Sequence, residues 1–126
     1  LRSSSAASDV YKRQALLSAC VITGAMIGGA DEALIKALRT YARGIGLAFQ
    51  IIDDILDITA SSEVLGKTAG KDLIADKTTY PKLLGLDESR RRADALVNEA
   101  KEALQPWAEK AIPLLALADF ITSRDR

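Results

Sequence analysis

Three aspartates and a glutamine stand close together in the run from Gly46 to Ile58, GLAFQIIDDILDI. On a helix turning 100° per residue, with Gln50 at the origin, Asp53 falls at about 300°, Asp54 at about 40° and Asp57 at about 340°. These polar side chains share an arc of about 100°. Phe49, Ile51, Ile52, Ile55, Leu56 and Ile58 fill the rest of the circumference. A helix so apolar belongs inside a protein, with its acidic stripe turned toward a cavity or cleft. No Lys or Arg stands at i±3 or i±4 from any of the aspartates, so the stripe has no offsetting partner on its own helix. Unpaired carboxylates taken out of water protonate or gather a cation. The alternative, a solvated helix face, leaves the apolar remainder of the helix without a place, and the cation site is favoured. An oxygen-only ligand set selects a hard ion, Mg2+ before Ca2+, and the alternating ligands and central glycine of an EF-hand are missing. Magnesium is commonly held by a few carboxylates together with substrate phosphates, which points to a phosphorylated substrate.

The segment that follows agrees with this. LGKTAGKD sets Lys67 and Lys71 beside Gly66 and Gly70, and Lys77 comes soon after. It is not a Walker A loop: the glycines are four apart, Asp72 occupies the Ser/Thr position, and a helix precedes it. Alone, a Gly/Lys segment reads as an ordinary solvated loop. Beside an acidic cation site, its lysines are suitable counter-charges for a polyphosphate.

The composition narrows the alternatives. Lys+Arg and Asp+Glu number 17 each in 126 residues, and this zero balance argues against nucleic-acid binding. With no histidine and one cysteine, zinc centres and His-based nucleophilic schemes are excluded. Cys20 has no partner for an internal disulfide, which fits a reducing compartment such as the cytoplasm. Any chemistry therefore runs on carboxylates, lysines and a hard metal.

The elements that must position the stripe read as all-α, since no segment alternates with period two. Residues 1–14 (LRSSSAASDVYKRQ) are polar and Ser-rich with no signal-peptide core; they read as a non-native junction and are set outside the fold. Residues 15–30 carry no charge but fall short of the ~20 residues of a membrane span. The expectation is a core helix with a small-residue face at Gly24 and Gly28, and no stable membrane insertion. Asp31 and Glu32 open a long helix to about Ile58, with a bend or tight crossing at Gly44 and Gly46. A loop follows from Thr59 to Tyr80, then a short turn or helix at Pro81. Asp87 is expected to cap the next helix, whose Ala93, Leu96, Val97, Ala100 and Leu104 hold a helical apolar spacing. Pro106 breaks that helix, and a last one begins near Pro113.

FQIIDDILD, LGKTAGKD and DKTTYPKLLG, in this order, resemble the second aspartate-rich motif and following loop of the trans-isoprenyl diphosphate synthases (polyprenyl synthetases). LLALADFITSR is similar to that family's C-terminal helix, and ITASSEVLGKTAGKD is most like its geranylgeranyl diphosphate synthases, with farnesyl diphosphate synthases close behind. The resemblance implies the C-terminal part of an isoprenoid synthase (class I terpenoid synthase) helical bundle over residues 15–126. It implies a prenyltransferase that condenses isopentenyl diphosphate with an allylic prenyl diphosphate, with Mg2+ as cofactor and a homodimeric parent. By the same resemblance, Asp53, Asp54 and Asp57 are metal ligands or stand just behind them, and Asp53, Lys67 and Lys77 are catalytic. Phe49, Gln50, Lys67 and Lys77 then bind substrate, and Lys71 and Asp72 belong to the closing loop. The family's KTGALL stands here as KRQALL, so Lys12 is not counted in the site. The family's first aspartate-rich motif is absent, and the chain as given is expected to show no turnover. Two other readings are a terpenoid cyclase of the same fold and a non-catalytic helical subunit with a relic stripe.

Overall fold

The structure, a computed structural model, describes residues 2–65 and 79–124, with side-chain surroundings for 11–60 and 79–124. It is all-α, with no strand among the described residues. The helices are α1 (Arg2–Ile27), α2 (Glu32–Leu65), α3 (Tyr80–Leu84), α4 (Leu86–Ala103) and α5 (Ile112–Ser123), with one 3₁₀ turn at Gln105–Trp107. None of the helices searched is long and apolar enough to cross a membrane.

α2 is the axis on which α1, α4 and α5 pack. It begins as its sequence dictates: Leu34 donates its backbone N–H to Asp31 Oδ1 at 2.8 Å, which satisfies one of the unpaired donors of the first turn. Tyr41, Ile45, Ile51, Ile52 and Ile55 of α2 are buried together with Ala93, Val97, Ala100 and Leu104 of α4. Each fully buried aliphatic side chain contributes about 1.5–3 kcal/mol. The small residues of α4 permit a close approach at Gly44. A Cβ on Gly44 would lie 2.8 Å from the Leu96 carbonyl oxygen and 2.9 Å from Ala100 Cβ. This is the tight crossing expected at the glycines, and α2 runs through both of them unbroken.

Several expectations are corrected. α2 does not end near Ile58 but continues to Leu65. Thr59 stays helical because its hydroxyl donates back to the Ile55 and Leu56 carbonyls, each at 3.1 Å. The loop expected from Thr59 therefore cannot begin before residue 66, and residues 66–78 lie outside the described residues. α1 is not a core helix. Of its described side chains only Ile22 is buried, with Leu17, Val21 and Ala25 packed partly against the core. Leu16, Met26 and Ile27 are exposed, and a Cβ on Gly24 would meet nothing within 4 Å. Among the described residues α1 packs on α2, which covers one side of its apolar run from Ala15 to Ile27.

Residues 2–14, set apart on their sequence, continue α1 without a break. Gln14 donates from Nε2 to the Ala42 carbonyl at 3.0 Å. Asp87 does not cap α4. Gly85, at φ 84°, closes α3 and opens α4, and Asp87 and Glu88 sit in the first turn, where their charge suits the helix dipole. Pro81 sits in the first turn of the short α3, where a short turn or helix is expected.

α5 is fixed at two points. The buried Tyr41 donates its hydroxyl to the Leu114 carbonyl at 2.7 Å, and Lys101 Nζ meets Asp119 Oδ1 at 2.6 Å. Desolvation pushes the Tyr41 hydroxyl up to about 12. These anchors bring the end of α5 over the aspartates of α2.

Candidate active site

The fold turns the stripe of α2 away from its core face. Ile51, Ile52 and Ile55 are buried, whereas Asp53 and Asp54 are half-buried and Asp57 is exposed. Asp53, Leu56, Asp57, Thr59, Ala60 and Arg124 line an open cleft of about 280 Å³. The structure thus gathers Asp53 and Asp57, one turn apart, on a single recess, and Asp54 is not among its lining residues.

Asp53 already has a cation. Arg124, at the C-terminal end of α5, pairs with Asp53 Oδ1 through Nη2. The same guanidinium lies 4.5 Å over the centroid of the Phe49 ring, a cation–π geometry. Its Nε is buried and has no hydrogen-bond partner among the described residues. The sequence shows no Lys or Arg near the aspartates because the partner comes from 71 residues away. The advance signal in the sequence is an arginine directly after the last helix, whose residues are mostly apolar.

Asp54 is tied into scaffolding. Its Oδ1 accepts Gln50 Nε2 at 3.0 Å, and its carboxylate also takes the backbone N–H of Tyr80, the first residue of α3. Gln50 Oε1 in turn accepts Arg13 Nη1 at 3.2 Å. Burial raises the Asp54 pKa, with the hydrogen bonds from Gln50 and Tyr80 opposing that rise and the charges of Asp57 and Asp53 adding slightly to it. Gln50 and Asp54 thereby link α1, α2 and α3.

The donors are carboxylate oxygens, which suit a hard divalent ion. Among the described residues, however, no three acidic, His or Cys side chains converge to hold one. The stripe is too open for an all-protein cage and fits an ion whose remaining ligands come from phosphate oxygens and water. Lys67, Lys71, Asp72 and Lys77 lie outside the described residues.

With this geometry in place, comparison with known proteins gives a consistent family. The sequence model described as polyprenyl synthetase matches residues 9–112. The chain is similar to a dimethylallyltranstransferase of Fischerella ambigua, 56% identical over 90% of this chain and 33% of the relative. It is similar to the chloroplastic geranylgeranyl pyrophosphate synthase of Catharanthus roseus, 57% identical over 92% of this chain and 33% of the relative. A chloroplastic geranylfarnesyl diphosphate synthase of Leucosceptrum canum is 55% identical over 93% of this chain and 32% of the relative. The chain spans about a third of the length of these curated relatives.

Proposed function

The chain belongs to the polyprenyl synthetase family, and on that premise we propose that residues 15–126 supply the diphosphate-ionising part of a prenyltransferase domain. The observation that carries this reading is the pairing of Asp53 and Asp57 on one cleft, with a cation already drawn to Asp53. The reaction is head-to-tail elongation. The allylic diphosphate loses its diphosphate to give an allylic cation, the double bond of isopentenyl diphosphate attacks it, and a proton leaves. The hard step is the growth of negative charge on the departing diphosphate, and preorganised positive charge lowers its barrier.

Asp53 and Asp57 would hold Mg2+, with Asp54 behind them. An ion held there would supply positive charge for the phosphate oxygens of the leaving diphosphate. Asp54 positions the stripe through Gln50 and the start of α3. Phe49, facing a guanidinium in this structure, offers a ring face suited to an organic cation. Lys67 and Lys77 are assigned to the diphosphate by resemblance.

The product is read as geranylgeranyl diphosphate, as in the name of the Catharanthus relative. Relatives named for different products are nearly equally similar, which supports a length ruler located in the other two-thirds of the enzyme. The parent is read as a homodimer, and the chloroplastic names of the plant relatives support a plastid address beside the cytoplasmic one. The chain by itself, with one aspartate-rich helix, is read as inactive.

A graft tests the proposal. Residues 15–124 replace the matching third of the Catharanthus enzyme, and incorporation of labelled isopentenyl diphosphate is measured. Elongated product is expected, with Asp53→Ala lowering kcat about 100-fold or more. A graft whose turnover is unchanged by Asp53→Ala refutes the assignment, as does appreciable turnover by the isolated chain.

A further inference from the structure

Arg124 plays no part in the mechanism above, yet its side chain is only 20% exposed and touches α2 at Asp53 and Phe49. It pairs with Asp53, lies against Phe49 and forms part of the wall of the same cleft. Among the described residues the seat is incomplete, because Arg124 Nε is buried without an acceptor there. A guanidinium presents several donors in a fixed fork, and a buried donor left unmade weakens its hold. A divalent ion on Asp53 would meet a positive charge already at that carboxylate, and like charges at such range in a half-buried site repel strongly. The two cations therefore compete for Asp53, each weakening the hold of the other.

We propose that Arg124 is a built-in stand-in cation: it occupies Asp53 until a divalent ion and a diphosphate arrive, and it must release Asp53 for that ion to bind. The inference rests on the cation-site reading of the stripe and goes beyond it, since it makes ion uptake conditional on movement at the end of α5. Phe49 provides a face on which the guanidinium can remain while its hold on Asp53 is lost. Arg124 is thus a regulatory contact and not a catalytic residue. Its removal is expected to strengthen cation binding, the opposite of what removing a substrate-binding arginine would do.

The test is a titration of the whole chain with Mn2+ in the presence of inorganic diphosphate, following free Mn2+ by its paramagnetic resonance signal. Arg124→Gln is expected to bind Mn2+ about tenfold more tightly, which corresponds to about 1.4 kcal/mol. Arg124→Lys keeps the charge without the fork or the stacking plane, so it should fall between wild type and Arg124→Gln. Circular dichroism confirms that each variant keeps its helices. In the wild type, addition of Mn2+ and diphosphate should also speed amide hydrogen exchange at residues 121–124, and Arg124→Gln should exchange fast from the start. If Arg124→Gln binds Mn2+ no better than wild type while Asp53→Asn loses binding, the stand-in role is overturned and the cation site stands. If neither wild type nor Arg124→Gln binds Mn2+, both readings fall.

Discussion

Replacing Gly44 with Ala sets two known effects against each other. In a helix interior Ala is favoured over Gly by about 0.8–1.0 kcal/mol, so propensity alone predicts a stabilised protein. At Gly44 the new methyl would lie 2.8 Å from the Leu96 carbonyl oxygen and 2.9 Å from Ala100 Cβ. Neither neighbour is the free end of a flexible side chain, so α2 and α4 must separate by several tenths of an ångström along their buried contact. Overpacking of this kind costs roughly 1–3 kcal/mol. Because backbone itself is in the way, the upper part of that range applies, and the net expectation is a loss of about 1–2 kcal/mol. For a domain of this size that is a fall in Tm of roughly 3–8 °C. Gly24→Ala is the matched control. It too lies inside a helix, but its Cβ would meet nothing within 4 Å, so it should gain about 0.5–1 kcal/mol. Urea melts of the two variants beside wild type decide the matter, with equal m-values required for the comparison. A Gly44→Ala protein as stable as Gly24→Ala would refute the close crossing of α2 and α4.

Two further outcomes follow from single contacts. Tyr41, whose hydroxyl is raised from 10.0 to about 12, stays protonated in the folded protein where the unfolded chain has already ionised. Its contribution is therefore full below pH 10 and is lost as pH rises toward 12, by roughly 1–3 kcal/mol. Tyr41→Phe should remove that part of the alkaline fall in stability, measured as the difference between paired melts at pH 9 and above pH 11. Asp54→Ala leaves the Tyr80 N–H and Gln50 Nε2 without their acceptor, and should cost about 1–2 kcal/mol. Asp54→Asn keeps an acceptor oxygen and should cost less in the same melt, and equal losses would show that Asp54 does not hold α3.

Much of this molecule is readable from periodicity, and what is not has identifiable causes. The apolar spacing of Ala93, Val97, Ala100 and Leu104 gives the buried face of α4, and the Asp31 cap is legible because its donor lies three residues on. The last two turns of α2 are not legible, because Thr59, Ser61 and Ser62 read as loop formers; the Thr59 hydroxyl is satisfied inside the helix instead. Composition marks Ala15–Ala30 as apolar but cannot say how many neighbours it has, and among the described helices α1 packs on α2 alone. The aspartate stripe is visible from its arc, since Gln50, Asp53, Asp54 and Asp57 belong to one helix. Arg124 and Arg13 are invisible to that logic: each reaches the stripe from another helix, 71 and 37 residues away. Gly85, not Asp87, opens α4 because the short turn from α3 needs a positive φ.

The stripe on α2 is proposed as one half of a cation-dependent diphosphate site. Isothermal titration of the whole chain with inorganic diphosphate, in Mg2+ and then in excess chelator, tests it most directly. Binding heat is expected in Mg2+, to vanish with the chelator and to be lost in Asp53→Ala. Binding that is unchanged by the chelator, or that Asp53→Ala leaves intact, would contradict it.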